Sequence, residues 1–329
     1  MKKLALFAFV CALSLSPAAE ACLSCGCGST GSAADLGAIG GAASLFADNQ
    51  RWLIQSGASF RQVTGSFNEA GQWFETPTDS LLQSYQALLG VMYFPAPGLS
   101  LGLQLPVQGN LLSGVSWGNF GSLTPTDRPA ALGYGLSDLQ LQASYRFWGW
   151  EEGALAAWGS ASLPTGRLDP AQPEAATGSG QTGLSGGLML LYRPLQPVID
   201  LSRHDLHTWW QGLIWEAFAN LGYAQTLGEP PTGMSPFFQG QSLMYQLQGN
   251  VAFAPGWIAG LGLNGQLGSW QAGAGRQQLA SRVKVVPSLQ YEFNLSQGLR
   301  FAVGYDLPVL GANSLTDTSV YLVYYQFFK

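Results

Sequence analysis

The chain has 329 residues, 47% of them hydrophobic and only 10% charged, with 43 glycines, 12% aromatics, a mean hydropathy of +0.12 and a formal net charge of −5. Soluble domains carry roughly 25% charged residues, and abundant aromatics with little charge are the reverse of a disordered composition. An acidic balance without Lys/Arg clusters leaves no footprint for nucleic acid. Beyond the first twenty residues no apolar run approaches the ~18 residues of a spanning helix, so the composition points to a transmembrane β-barrel, the other structure that satisfies its backbone in lipid.

Taken in chain order, the first element is an address. Lys2 and Lys3 precede an apolar stretch from Leu4 to Leu15, and Ala19-Glu20-Ala21 is an A-x-A cleavage site. This reads as a secretory signal over residues 1–21, whose removal takes away two lysines and one glutamate and leaves the mature chain slightly more acidic. Residues 22–50 follow as a segment rich in Cys, Gly and Ala. It opens with Cys22-Leu23-Ser24-Cys25-Gly26-Cys27. Three mature cysteines cannot all pair, so one disulfide and a free thiol is one reading. A soft-metal site for Cu(I) or Zn(II) is the other, with His204 and His207 expected on the same side of the membrane. The small residues after the cysteines suit a short helix entering the barrel as a plug, although their glycines weaken it.

From residue 51 to 329 the dominant period is two, the mark of strands. Leu99, Leu101, Leu103, Leu105 and Val107 alternate with Ser100, Gly102, Gln104, Pro106 and Gln108, and the same code recurs around Leu139–Phe147, Leu243–Phe253 and Val283–Phe293. About twelve such segments are expected, at 51–63, 80–94, 98–110, 135–148, 153–164, 181–193, 210–226, 241–254, 256–270, 281–294, 298–309 and 316–328. Their lengths exceed the ~5–6 residues of ordinary strands and suit tilted strands that cross a bilayer, lipid-facing and lumen-facing by turns. The expected fold is therefore all-β: an antiparallel barrel of about twelve strands, with the N-terminal segment as a candidate plug.

Connections at 95–97, 149–152, 255 and 295–297 are short and fall at every second position, as periplasmic turns do, while the alternate connections are longer, as external loops are. Residues 194–209 are the exception, an extended connection on the short side. An even strand count then places both termini in the periplasm of a Gram-negative cell. Phe94, Phe147, Trp148, Trp150, Tyr192, Trp209, Trp210, Phe253, Trp257, Phe293, Phe327 and Phe328 gather at the same ends, the distribution of an interfacial girdle. The final strand, Val320 to Phe328, resembles the aromatic C-terminal signal read by the barrel assembly machinery, with Lys329 added after the usual last Phe.

Gly135-Leu136-Ser137-Asp138-Leu139, then Leu163-Pro164-Thr165-Gly166, a polar loop, and Thr177-Gly178-Ser179-Gly180 form a pattern. It resembles that of the barrel transporters associated with the meta-pathway of phenol degradation, a family allied in fold to the long-chain fatty acid channels. Ser137 stands where that family's pattern has Gly. The resemblance implies an outer-membrane channel or transporter for small, hydrophobic or aromatic molecules. Read physically, Pro164-Thr165-Gly166 ends a strand, since Pro cannot donate to a ladder and Gly permits the turn that follows.

Chemistry-bearing residues are few. The inward faces collect Arg61, Asp138, Arg146, Glu216, Arg282, Lys284, Glu292, Arg300 and Asp306, because ionisable groups at membrane depth avoid lipid. Two readings stand: a selectivity lining, or a salt-bridged filling of a narrow lumen. No catalytic constellation emerges, as the only histidines lie in the anomalous connection without a serine motif or carboxylate dyad, so enzymatic activity is not expected. The expected partners are outer-membrane lipids, the assembly machinery and a small-molecule substrate. The alternatives are a metal- or electron-handling barrel that uses the Cys cluster, and a structural barrel with a filled lumen.

Overall fold

The structure is a computed structural model. It describes residues 51–68, 70–77, 80–117, 123–125, 130–167, 176–193, 214–227, 239–254, 256–272, 276–294, 296–312 and 314–329. Its strands are β1 (Trp52–Phe67), β2 (Trp73–Glu75), β3 (Leu81–Ala96), β4 (Leu99–Ser113), β5 (Val115–Trp117), β6 (Leu123–Pro125), β7 (Ala131–Leu136) and β8 (Leu139–Trp150), followed by β9 (Gly153–Leu163), β10 (Thr182–Tyr192), β11 (Ile214–Leu227), β12 (Gln239–Ala254), β13 (Trp257–Ala272), β14 (Arg276–Asn294), β15 (Gln297–Ala312) and β16 (Leu315–Phe328). No helix among the described residues is long and apolar enough to cross a membrane.

Twelve of these strands form the wall. Each pairs antiparallel with its neighbour in the order β1, β3, β4, β8, β9 and on through β16. β16 returns to β1 over a register running from Trp52↔Phe328 to Ser66↔Leu315, which closes the barrel. Closure matters because an open edge would leave its N–H and C=O groups unpaired in hydrocarbon. At a strand spacing of about 4.8 Å and a tilt of about 40°, twelve strands close on a backbone radius of about 12 Å. That lies between eight-stranded barrels, which side chains fill, and sixteen-stranded porins with an aqueous channel.

The period-two code sorts the side chains as expected. Leu101, Leu103, Leu105 and Val107 are exposed on the outer surface while Gln104 and Gln108 are buried inside, and Leu243 and Leu247 alternate with Gln246 and Gln248 in the same way. At the end where β1 begins and β16 finishes, tight turns link β3 to β4, β8 to β9, β12 to β13 and β14 to β15. Pro97-Gly98 and the turn at Gly256 each place a glycine at φ near +75°, a conformation that glycine adopts without strain. Outward aromatics ring this end and contact one another in pairs: Trp52 with Tyr93 (centroids 4.6 Å apart), Tyr192 with Trp215 (5.7 Å) and Trp257 with Tyr291 (4.8 Å). Phe147, Trp148, Trp150, Phe253, Phe293 and Phe328 share the exposed face.

Four details depart from the sequence reading. Phe94 and Phe327, expected in the girdle, point inward and stack at 6.3 Å. They belong to a buried patch with Leu53, Leu88, Met92, Val323 and Tyr325; their positions are in step with the lumen face, and alternation overrides residue type. The segment expected at 135–148 is broken. β7 pairs with β4 alone, β8 starts at Leu139, and Ser137-Asp138 between them leave the ladder. The expected loop 271–280 is largely strand, because β13 and β14 pair out to Ala272↔Arg276. Finally, the short strands β2, β5 and β6 lie in stretches expected to be loop. The signal peptide, the Cys/Gly/Ala-rich segment and Trp209 and Trp210 lie outside the described residues.

Candidate functional site

The candidate site is the lumen, and its lining follows from which residues fall in step on each strand. Towards the loop end, opposite the termini, the wall of β1, β14, β15 and β16 is charged. Lys284 Nζ donates to Asp317 Oδ1 at 2.6 Å and to Ser319 Oγ at 3.2 Å, and Arg61 Nε donates to Asp317 Oδ2 at 2.7 Å. Arg282 Nη1 stands 3.6 Å from Asp317 Oδ2 and 4.0 Å from Asp306 Oδ2, and Lys284 Nζ is also 4.0 Å from Asp306 Oδ2. The backbone N–H of Asp317 donates to Asp306 Oδ2 at 2.8 Å, taking the place of a ladder bond just where β15–β16 pairing stops at Tyr305↔Thr318. A register shift in β14–β15 pairing between Arg282 and Lys284 accompanies the cluster.

Lower in the barrel, Arg300 Nη2 donates to Ser288 Oγ at 3.1 Å. Glu216 accepts from Arg193 at 2.6 Å and from Asn250 at 2.8 Å, and Glu292 Oε1 accepts from Gln290 at 3.2 Å and from Tyr325 at 3.3 Å. Arg146 sits at the terminal end, its N–H donating to Gly98 O at 2.7 Å. Of the nine residues expected to line the lumen, Arg61, Arg282, Lys284 and Asp306 are thus brought together, while Arg146, Glu216, Glu292 and Arg300 lie nearer the terminal end, outside that cluster.

Asp138 belongs elsewhere. Its Oδ1 accepts from the Gly166 N–H at 2.9 Å, and its Oδ2 accepts from the Ser179 N–H at 2.7 Å and the Ser179 hydroxyl at 2.5 Å. Thr165 Oγ1 accepts from the Leu139 N–H and donates to Ser137 O, and Thr177 Oγ1 donates to Leu136 O. The motif residues Gly135, Asp138, Pro164, Thr165, Gly166, Gly178 and Gly180 are therefore gathered at one corner, where hydroxyls and a carboxylate replace the ladder bonds that β7 and β8 lose at Ser137-Asp138. A Cβ on Gly166 would lie 2.4 Å from Gly178 Cα, so backbone-to-backbone contact demands both glycines. The corner also turns towards the lumen, since Asn110 Nδ2, on the inner face of β4, donates to Ala176 O at 2.7 Å.

The remaining inner surface is neutral. Amides and hydroxyls from β3, β4, β8, β9 and β10 cover it, with Ser100 and Ser144, and Ser160 and Ser185, in contact across adjacent strands at 2.6 Å. In the terminal half two apolar patches lie on nearly opposite walls. One is the Leu53/Phe94/Tyr325 cluster and the other joins Ala156, Met189, Leu191 and Phe218, with Trp158 packed against it. Trp158 Nε1 donates to Asn220 Oδ1 at 2.7 Å.

Asp317, the hub of the charged wall, was not among the residues singled out from the sequence. Its signal was there, since it keeps step with Ser319 and Tyr321 on the inner face of the last strand. The possible metal ligands Cys22, Cys25, Cys27, His204 and His207 lie outside the described residues. Among the described residues no three His, Cys, Asp or Glu side chains stand together as a metal-binding group.

No family model and no curated protein matches the chain. Solved structures do. An outer membrane channel from Pseudomonas putida F1 aligns over 85% of this chain and 96% of its own, with 17% identity and a TM-score of 0.61. The β domain of the Bordetella autotransporter BrkA aligns over 85% of this chain and 100% of its own at 14% identity and a TM-score of 0.48. The Ralstonia pickettii toluene transporter TbuX aligns over 85% of this chain and 90% of its own at 9% identity and a TM-score of 0.39. The chain therefore shares the fold of an outer-membrane channel.

Proposed function

We propose that this protein is an outer-membrane channel for small molecules. The observation that carries the reading is the state of the inner wall. Gln86, Gln142, Ser144, Ser160 and Asn220 face the interior away from the ends of their strands, yet each keeps partial solvent exposure. An interior filled by side chains would leave none of them wet. Amides and hydroxyls suit passing solutes because they exchange hydrogen bonds with water and solute at little net cost. The fold it shares with the Pseudomonas channel supports the same reading. In the terminal half the half-buried Trp158 and Phe327 add aromatic surface beside the two buried apolar clusters, which favours solutes with an aromatic or aliphatic portion.

The test is single-channel conductance of the full chain refolded into a planar bilayer, repeated with aromatic and aliphatic solutes added to one side. Stepwise currents that a small aromatic solute reduces would support both parts of the proposal. Currents indifferent to such solutes would remove the apolar preference, and a barrel that inserts but never conducts would favour a filled structural barrel.

A further inference from the structure

The charged wall is asymmetric in depth as well as in sign. Three cations, Arg61, Arg282 and Lys284, meet two carboxylates, Asp306 and Asp317. The carboxylates are shut away, with side-chain exposures of 1% and 0%, whereas Arg61 and Arg282 keep 15% and 11%. Both oxygens of Asp317 are taken by Lys284 and Arg61, Asp306 Oδ2 is held by a backbone N–H, and Asp306 Oδ1 is buried with no hydrogen-bond partner among the described residues. A solute in the lumen therefore meets the arginine side chains before the carboxylates behind them. Among the described residues at the same height, Gln140, Gln142, Ser144 and Ser160 on the facing wall are neutral, while Asp138 at the corner above them is buried and its carboxylate is taken up by Gly166 and Ser179. The whole chain is acidic at formal −5, so the positive sign here comes from placement.

We infer that this wall selects for anions: Arg61 and Arg282, braced by Lys284 and the two buried aspartates, draw small oxyanions such as carboxylates and inorganic phosphate through the channel in preference to cations. The inference rests on the channel reading and adds the charge class of its solutes. Arginine suits the task because its planar fork makes charge-assisted hydrogen bonds to oxyanions, and exposed rows of Arg and Lys are the usual lining of anion pores. The aspartates have a separate task. They hold three cations on one wall without mutual repulsion, and they stay out of the solute's reach.

The test uses the full chain in planar bilayers with a tenfold potassium chloride gradient. The zero-current potential should carry the sign of chloride preference, and a surface potential on the order of one kT, which enriches the anion and depletes the cation about equally, corresponds to about a sevenfold chloride-to-potassium permeability ratio. An R61Q/R282Q variant should bring that ratio to about one, and inorganic phosphate added to one side should reduce the chloride current of the natural protein more than that of the variant. If that variant fails to show a folded, heat-modifiable band, Gln142→Glu supplies the same test from the facing wall: it leaves the cluster intact, adds a carboxylate, and should lower the anion preference. Potassium preference, or no preference, in a conducting natural protein would overturn the inference while leaving the channel reading in place. A protein that inserts without conducting would overturn the channel reading itself, and the inference with it.

Discussion

The alternation code makes a depth-dependent prediction on one strand. In β13, Trp257 marks the aromatic girdle at the terminal end, Leu261 is 60% exposed on the outer face, and Leu267, on the same face, is 43% exposed. Leu261 is four residues from the girdle; at about 3.4 Å per residue and a tilt of about 40° it stands about 10 Å above it, close to the middle of an apolar band about 25 Å tall. Leu267 is ten residues away, and the same geometry puts it about 26 Å above the girdle, at the opposite interface. Leu261→Arg should therefore cost about 2–4 kcal/mol and Leu267→Arg about 0–1 kcal/mol. A difference of about 3 kcal/mol is about two orders of magnitude in the folding equilibrium. Gln142→Arg, on the wet inner face of β8, should change stability little. Reversible guanidinium unfolding in lipid vesicles, followed by tryptophan fluorescence and heat-modifiable gel migration, would measure all three. Equal costs at 261 and 267, or an inner-face cost matching that at Leu261, would refute the register or the depth assignment.

Other perturbations probe the sites built from several strands. Asp317→Ala leaves Arg61, Arg282 and Lys284 against a single buried carboxylate, and breaking a buried pair of this kind should destabilise the barrel by about 3–5 kcal/mol, read as a lower unfolding midpoint in the same vesicles. Asp138→Ala orphans the N–H groups of Gly166 and Ser179, at about 1–3 kcal/mol for each unsatisfied group. The loss should appear as faster proteolysis of the 164–181 connection, with the rest of the barrel unaffected. Gly166→Ala should harm the same corner through its clash with Gly178, while Gly249→Ala, where an added Cβ meets nothing within 4 Å, should be tolerated; the two can be compared by their refolding yields. If Cys22, Cys25 and Cys27 hold a soft metal, copper or zinc bound to the reduced protein should fall in a triple Cys→Ser variant and weaken as pH falls, since thiolates must be deprotonated to coordinate.

The corner and the charged wall solve the same physical problem in different ways. Where β7 gives way to β8, and where β15 stops pairing with β16, the ladder is interrupted and backbone N–H groups lose their strand partners. In each place an aspartate accepts backbone N–H groups that have no strand partner: Asp138 takes those of Gly166 and Ser179 in the connection after β9, and Asp306 takes that of Asp317. A carboxylate accepts up to about four hydrogen bonds, so one side chain replaces several ladder bonds at membrane depth. Asp138 thereby became a structural residue although its position in sequence marks it as inward-facing. Asp306 is tied in both ways, to a backbone N–H on one side and to Arg282 and Lys284 on the other.

The sequence by itself determined the class of fold, the twelve wall strands to within a few residues, and the face on which each residue lies. Those properties are local: a period of two, read against a solvent that rejects charge on one side and accepts it on the other, fixes the orientation of Leu103, Gln104 and Lys284 without reference to any partner. The same code, applied without regard to residue type, would have placed Phe94, Phe327 and Asp317 on the inner face. Only the tertiary structure decided which inward residues meet. Arg61 and Asp317 are separated by 256 residues and come together because β16 pairs back onto β1, with a register and stagger set by closure of the whole ring. The corner formed by Asp138, Gly166 and Ser179 likewise depends on a break in β7–β8 that no periodicity announces, and the burial of Asp306 and Asp317 behind Arg61 and Arg282 depends on how four neighbouring strands stack their side chains. Alternation is a property of one strand; contact, depth and sign at the lumen surface are properties of the closed barrel.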